Sequence, residues 1–310
     1  MTTIRAAAED YLAIRRSLGF KLGTQGQVLM DFVAYLEHKG TETVTTEVTV
    51  EWATRPSGAS ALWHAMRLGV ARRFAAHLQL LDPRCQVPPP DLLPERHRRL
   101  PPRLFSADDI AALMAEARRL RPAFRAATAE TVIGLLAVTG LRAGELVRLN
   151  RDDVDFTAGA LAVSATKFNK SRVLALHDTA VQALRAYAIL RDQRWPGTCS
   201  SAFFMSIRGN RLSQSALNAT FTVLARTAGL EPGPTSRERR PTPHGLRHSF
   251  AVTTLIDWYR ADDDVQARLP ALSAFMGHAQ PKDTYWYLSA VPELLALASD
   301  RARRHSEARS

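Results

Sequence analysis

Two segments of this 310-residue chain carry arginines at positions suited to an anion. Arg142 follows a predicted helix in the run Thr-Gly-Leu-Arg-Ala-Gly-Glu-Leu, on a sharp turn from which its guanidinium could point into a cleft. His244 and Arg247 are three residues apart at the start of another predicted helix, so they share one face. An arginine beside a helix N-terminus favours a bound anion. Taken singly, each segment is also typical of an ordinary solvated surface.

A third basic group lies on a predicted hairpin. The run Thr-Lys-Phe-Asn-Lys-Ser-Arg places Lys167, Lys170 and Arg172 together with no acidic residue between them. A solvated turn usually mixes charges of both signs, which favours a binding role for this cluster. Basic hairpin tips are nevertheless common, and the run alone leaves both interpretations open.

Two candidates for proton transfer and nucleophilic attack lie nearer the C-terminus. His278 follows Met-Gly, and Tyr287 comes nine residues later in Thr-Tyr-Trp-Tyr-Leu. A phenol has a reference pKa of about 10, so a nucleophilic tyrosine needs cations or a base beside it. Tyr285 competes for the same role, although on a helix it points to a different face. Aromatic clusters of this kind more often pack in a core.

The elements that must position these residues change type along the chain. Ser106, with Asp109 three residues later, predicts a helix N-terminus, and a second helix is predicted over 124–139 with Gly140 as its end. Short strands are then predicted, with turns at 157–159 and 167–170; they cover 154–156, 160–163 and 172–176. From residue 178 the pattern is helical again, with breaks near Pro196, 232–243, Pro270 and Pro281.

A proline-rich stretch divides the chain. Six of the 17 prolines fall between 88 and 102, where neither a helix nor a central strand can continue, so 88–104 is predicted to be a linker. Residues 1–87 are predicted to form a helical domain. One of its helices has an apolar stripe from which Arg67, Arg72 and Arg73 are excluded, and the stripe consists of Leu62, Met66, Val70, Phe74, Leu78 and Leu81. Residues 105–310 are predicted to form a mixed domain.

Composition excludes several classes of protein. Hydrophobic residues make up 46% of the chain, which argues against disorder. The first nine residues carry charge where a signal peptide needs an apolar stretch, and 132–138 is too short to span a bilayer, so a cytoplasmic protein without membrane contact is expected. Cys85 and Cys199 stand alone, so neither a metal site nor a cofactor is expected.

Positive charge is concentrated in three places. The chain has 41 Lys and Arg against 30 Asp and Glu, a net charge of +11, which favours an anionic partner such as nucleic acid. The surplus lies in the linker, the hairpin and the approach to Arg247. The predicted contacts to DNA in these segments are Arg96, Arg98, Arg99, Arg103, Lys170, Arg172, Arg239 and Arg240.

Together the motifs resemble those of the tyrosine recombinase, or phage-type integrase, family. The match by type and order comprises Arg142, Lys167, His244-x-x-Arg247, His278 and Tyr287. The resemblance implies a mainly α fold with a small antiparallel β-sheet: a helical N-terminal core-binding domain and a mixed α+β catalytic domain. Two departures are the hairpin Thr-Lys-Phe in place of Gly-Lys-Gly and extra residues between Arg247 and His278. The second departure, together with the run Thr-Tyr-Trp-Tyr-Leu-Ser, resembles members encoded by mobile elements.

The resemblance also implies a role for each residue. Arg142 and Arg247 would bind the nonbridging oxygens of a DNA phosphate, since two planar guanidinium forks suit them. Lys167 would give a proton to the leaving 5′ oxygen. Tyr287 would attack the phosphate with His244 as its base, leaving DNA joined to the tyrosine through a 3′ phosphate.

The remaining implications concern support and assembly. His278 would donate a hydrogen bond to the phosphate, and Glu145 would support Arg142. The partner would be double-stranded DNA, bound by a homotetramer or an assembly with related recombinases in which residues 292–304 dock on a neighbour. Nucleoid association follows from such a role.

Two other classes of function make different demands on the sequence. A noncatalytic DNA-binding protein with the same fold would be expected to have lost one of the motif residues, and all are present. A metal-dependent nuclease or transposase needs carboxylates that converge on one point. Asp262, Asp263 and Asp264 are consecutive and therefore point in different directions.

Overall fold

The computed structural model describes residues 3–93, 102–164, 171–197, 200–232, 240–278, 280 and 282–307. The chain divides into two compact units, Met1–Arg99 and Leu100–Ser310. The boundary between the two units lies inside the proline-rich stretch 88–104. Within the described ranges, no helix combines the length and the apolar character that crossing a bilayer would require.

The first unit consists of helices in the part that is described. They are α1 (Ile4–Ser17), α2 (Gly23–His38), α3 (Thr46–Thr54) and α4 (Ala61–Gln79). Three of them begin at a hydroxyl side chain, from Thr3, Thr45 or Ser60, that accepts the backbone N–H three residues later. Phe32, Trp52 and other buried apolar side chains pack between them.

The burial of side chains in and just after α4 differs from the predicted apolar stripe, both at the ends of the stripe and in its middle. Leu62 and Leu81 are exposed, whereas Arg67 is buried. The Arg67 guanidinium lies 3.8 Å from the centre of the Trp52 ring and donates to the Trp52 carbonyl at 3.0 Å and to Asp31 at 3.1 Å. These partners replace water, so a charged side chain can occupy a core position.

The second unit holds the mixed part of the fold. Its helices are α5 (Ala107–Arg118), α6 (Ala123–Thr139), α7 (Ala143–Leu146), α8 (Asp178–Arg194), α9 (Gln214–Thr227), α10 (Pro243–Arg260), α11 (Val265–Met276), α12 (Lys282–Ala290) and α13 (Pro292–Glu307). Ser106 and Asp109 form the predicted capping box. A break in the helical pattern was predicted near Pro270. Instead, Pro270 lies inside α11, between the buried Leu269 and Leu272.

A three-stranded antiparallel sheet follows α7 in the chain. Its strands are β1 (Val154–Asp155), β2 (Ala160–Val163) and β3 (Arg172–Ala175), in the order β1-β2-β3. Val163 pairs with Arg172, so the two ends of the hairpin between β2 and β3 are fixed opposite each other. Mainly helical structure with this small sheet confirms the predicted fold class.

Two apolar cores lie in the second unit. The larger core surrounds α6 and includes Leu136, Leu161 and Phe221. The smaller core lies among α10 to α13 and includes Leu255, Met276 and Tyr287. The candidate site is built where α6, α10 and α11 meet next to this smaller core.

Candidate active site

The turn after α6 takes the chain, and Arg142 with it, away from the axis of that helix. Gly140 ends α6 in the left-handed region with φ 60°. A Cβ at this position would lie 2.6 Å from the Cδ1 atom of Phe250, so the turn requires glycine for its conformation and for its space. Arg142 follows this turn, as the sequence predicted, and it precedes the short helix α7, which was not predicted.

Three arginine side chains converge on the C-terminal end of α11. They donate to three successive backbone carbonyls, which lack partners inside the helix. The bonds are Arg172 Nε to Phe275 O at 2.8 Å, Arg247 Nη2 to Met276 O at 2.8 Å, and Arg142 Nη2 to Gly277 O at 2.9 Å. Positive charge at this end of a helix also stabilises its dipole.

Glu145 is the carboxylate that supports this cluster. Its side chain is buried, and its oxygens bind Arg142 Nη1 at 2.7 Å and Arg172 Nη2 at 2.8 Å. It also accepts the backbone N–H of Arg142 at 3.1 Å. Burial raises the pKa of Glu145, but the hydrogen bonds and charges of Arg172 and Arg142 outweigh it and lower the pKa to about 2. Glu145 is therefore ionised at neutral pH.

Arg247 is the most deeply buried of the three arginines, with only 1% of its surface exposed. It donates to the Gly140 carbonyl at 2.6 Å as well as to α11. Burial and the neighbouring charge of Arg142 lower the pKa of Arg247 to about 10, so it stays protonated at pH 7. Three arginines around one carboxylate leave an excess of positive charge, which suits an anionic ligand.

The packing around the start of α10 explains why the run Pro-His-Gly-Leu-Arg-His-Ser contains a glycine and a serine. Pro243 is the first residue of the helix, where a missing N–H costs nothing. A Cβ on Gly245 would lie 2.5 Å from the Phe105 ring and 3.0 Å from the Arg103 carbonyl oxygen. Ser249 accepts the Phe105 backbone N–H at 2.7 Å. These contacts pack the first turn of α10 against 103–105 and thereby fix Arg247.

Tyr287 lies in α12 with its ring in the smaller core. It is only 2% exposed, whereas Tyr285 is 47% exposed, so the two tyrosines face different environments. The Tyr287 hydroxyl lies 2.8 Å from His248 Nδ1. His248 is not among the residues predicted from the sequence. The available signal was its spacing: it follows His244 by four residues on a helix, and the two rings are 4.5 Å apart.

His278 lies directly after the carbonyls that the arginines bind. Burial, followed by the charges of Arg247 and Arg142, lowers the pKa of His278 to about 4, so its imidazole is neutral at pH 7. Its Nδ1 atom lies 2.7 Å from the hydroxyl of the buried Thr284, a contact that the sequence did not suggest. If Thr284 donates, the proton of His278 is on Nε2, and that N–H can be given to a ligand.

Comparison with known proteins shows the family of the chain. The model of the phage integrase family matches residues 103–293. The chain belongs to this family. It is 41% identical to the integrase/recombinase y4rB of Sinorhizobium fredii over the full length of both chains. It is 30% identical to the tyrosine recombinase XerD of Mycobacterium leprae over 95% of this chain and 96% of that one.

Solved structures of tyrosine recombinases share the fold. The Tn1549 transposon integrase in complex with transposon right end DNA has a TM-score of 0.66 at 17% identity, covering 97% of this chain and 99% of that one. The XerH recombinase bound to palindromic difH substrate has a TM-score of 0.67, also at 17% identity, covering 90% and 78%.

The structure brings together most of the predicted site residues that it describes. Arg142, Arg247, His278 and Tyr287 come together, with Glu145 beneath the arginines. His244 is exposed and contacts His248. Among the described residues, no group of three or more His, Cys, Asp or Glu side chains is placed to hold a metal ion.

The predicted DNA contacts of this tyrosine recombinase have different placements. Arg172 differs from the expectation of a backbone-phosphate contact: its side chain is 11% exposed, and the guanidinium is bound to Glu145 and to the Phe275 carbonyl. Arg103 is half-buried, and Arg240 is exposed. The other predicted residues lie outside the described ones: Lys167, Lys170, Arg96, Arg98, Arg99 and Arg239.

Proposed function

We propose that this tyrosine recombinase is a site-specific enzyme that cleaves and rejoins duplex DNA through a 3′-phosphotyrosyl intermediate. The observation that carries the proposal is the convergence of Arg142, Arg247 and His278 beside the Tyr287 ring in one partly buried site. Attack on a phosphodiester needs a nucleophile, positive charge for the nonbridging oxygens and a proton for the leaving group, and the residue types match these needs.

Two arginines supply the positive charge in this proposal. Arg142 and Arg247 are held by backbone carbonyls and Glu145, so their planes are set before DNA binds. Preorganised charge of this kind stabilises the transition state without a cost of reorganisation during the reaction. Glu145 balances part of the charge while leaving an excess for the phosphate.

The chemical step follows from the remaining residues. Tyr287 attacks phosphorus, and the 5′ oxygen leaves with a proton from Lys167, a role that rests on the family motif because this lysine lies outside the described residues. His278 is neutral and donates its Nε2–H to a nonbridging oxygen. The phenolic proton must pass to a base, for which the sequence nominates His244. The reverse reaction, with a 5′ hydroxyl from another strand, rejoins the DNA.

The wider setting is also part of the proposal. Residues 1–87 would act as a core-binding domain joined through 88–104 to the catalytic domain, and a homotetramer on DNA would carry out strand exchange inside the cell. Arg103 and Arg240, with the basic residues around them, would contact backbone phosphates, which makes binding strongly salt-dependent. The likeness to a transposon integrase and the name of the y4rB relative support integration or transposition of a mobile element.

A covalent trapping assay tests the proposal. Half-site duplexes from the DNA that flanks the gene, nicked so that the short 5′-hydroxyl fragment diffuses away after cleavage, prevent religation. The protein should form an adduct that survives denaturation, and peptide mapping should place the nucleotide on Tyr287. Tight binding of the same duplexes without any adduct would instead indicate a noncatalytic DNA-binding protein.

A further inference from the structure

We infer that His248, rather than His244, accepts the phenolic proton when Tyr287 attacks the phosphate. The inference rests on the proposed function and identifies a catalytic residue outside the motif positions given above. Its primary observation is the 2.8 Å separation between His248 Nδ1 and the Tyr287 hydroxyl, a hydrogen bond between the group that must lose a proton and a basic nitrogen.

Aromatic neighbours restrict the orientation of the His248 ring. His248 lies one turn beyond His244 on α10 and is partly buried. Its ring centre is 5.5 Å from that of Tyr287 and 5.8 Å from that of Trp286, and the Tyr287 contact is edge to face. A ring enclosed in this way keeps Nδ1 directed at the phenol, which is the geometric requirement for a general base.

The proposed role of His248 as a base determines which of its ring nitrogens carries the proton. A neutral imidazole carries its proton on one ring nitrogen and accepts on the other. For the phenol to donate, the His248 proton must be on Nε2, so that the unprotonated Nδ1 accepts the hydrogen bond. Because a phenol has a pKa of about 10 and an imidazole one of about 6.5, full transfer before attack is unfavourable, so the proton moves as the new bond forms.

Cleavage exchanges one bond at phosphorus for another and moves two protons. The Tyr287 oxygen forms a bond to phosphorus while the bond from phosphorus to the 5′ oxygen breaks, and the phenolic proton goes to His248 Nδ1. The leaving 5′ oxygen takes a separate proton from the proposed acid, Lys167. In the rejoining step a 5′ hydroxyl attacks phosphorus and gives its proton to the neutral Lys167 amine. The bond from phosphorus to the Tyr287 oxygen breaks, and protonated His248 returns its proton to that oxygen.

The other two histidines are less suited to this role. His244 is exposed and lies against the His248 ring, 4.5 Å between centres. His278 stacks near Tyr287, but its Nδ1 atom is bound to Thr284, and its lowered pKa makes it a weak proton acceptor. His248, by contrast, is partly buried and has a described contact to the hydroxyl itself.

The test separates proton transfer from positioning. In His248→Asn the side-chain amide can reach the site of Nδ1 and hydrogen-bond to Tyr287, but it cannot take a proton at neutral pH. The rate of adduct formation on the nicked half-sites should fall by about 100-fold or more in His248→Asn and by a similar factor in His248→Ala. His244→Asn is the matched variant one turn earlier on the same helix.

A fluorinated tyrosine placed at position 287 supplies the decisive readout, because its lower phenol pKa reduces the need for a base. It should restore the His248→Asn rate at least tenfold while changing the wild-type rate far less, with DNA affinity and thermal unfolding measured for each variant. A His248→Asn rate within about threefold of wild type, absence of selective rescue, or selective rescue of His244→Asn alone would overturn the inference. If the wild-type protein forms no adduct, the proposed function fails instead, and this inference with it.

Discussion

Arg172 and Glu145 form a buried ion pair, 2.8 Å between Nη2 and Oε2, that joins the first residue of β3 to α7. The side chains are 11% and 2% exposed. Arg172 also reaches the Phe275 carbonyl, so one guanidinium connects the sheet, the carboxylate beneath Arg142 and the end of α11. The chain segment between β2 and β3, which includes Lys167, therefore enters β3 at a residue anchored to the site.

Removing this anchor should destabilise the protein. Arg172→Ala leaves Glu145 with Arg142 as its remaining described ion pair, and we expect a loss of about 3 kcal/mol in the free energy of unfolding. Urea unfolding of the wild type and the variant measures this loss in the free energy of unfolding. Arg226→Ala, which removes an exposed pair with Glu231 at 3.5 Å, is the control and should change stability by less than about 1 kcal/mol. Equal losses in the two variants would contradict the anchoring role.

Glu145 should make stability depend on acid pH. Its pKa is lowered from 4.5 to about 2 on folding, so its contribution is present above pH 4.5 and is lost as the pH falls toward 2. The contribution amounts to about 3 kcal/mol. The unfolding free energies of the wild type and Glu145→Gln, measured between pH 6 and pH 2.5, should converge as the pH falls. A difference that stays constant over this interval would exclude the ion-pair explanation.

The two tyrosines of α12 should behave differently. Tyr287→Phe removes the hydroxyl that would form the phosphotyrosyl bond, and covalent attachment to nicked half-sites should disappear while binding persists. Tyr285→Phe alters a side chain that is 47% exposed and should retain attachment. Denaturing electrophoresis of the two reactions gives the answer, and the reverse pattern would move the nucleophile to Tyr285.

Two glycines inside helices should respond to alanine with opposite signs. Gly245→Ala places a Cβ 2.5 Å from Phe105 and 3.0 Å from a backbone oxygen, and should cost about 2 kcal/mol. Gly134→Ala in α6 meets only the flexible Met114 Cε atom at 3.6 Å, and should stabilise by about 0.5–1 kcal/mol. Thermal unfolding of both variants measures the contrast, and a stabilising Gly245→Ala would show that α10 is free to move away from 103–105.

The sequence predicted those features that depend on local chemistry. The capping box at Ser106, the left-handed end of α6 at Gly140 and the start of α10 depend on residues close together in the chain, and the structure has them. The small sheet could be predicted as well, because alternating patterns and turn residues are also local features of the sequence. The family motifs then identified residues that lie together in the folded chain.

The features that sequence reasoning missed depend on distant partners. The pairing of Arg172 with Glu145 joins residues 27 apart, and the contact between His248 and Tyr287 joins residues 39 apart. Burial of Arg67 depends on Trp52 and Asp31 from other helices. A charged residue off an apolar stripe is normally solvated, so its pattern alone gives no reason to place it in a core.

Arg142 and Arg247 each support a backbone carbonyl at the end of α11 and, under the proposed function, bind a phosphate with the same side chain. Each guanidinium has five N–H donors in a plane, so a fork that holds a backbone carbonyl on one side still has donors for a phosphate on the other. A lysine offers a single charged point and cannot span both. Under the proposed function, replacing Arg142 or Arg247 by lysine would therefore preserve the charge, but one side chain could no longer both bind the phosphate and support the chain that leads to Tyr287. The choice of arginine at these positions is thus a matter of shape as much as of charge.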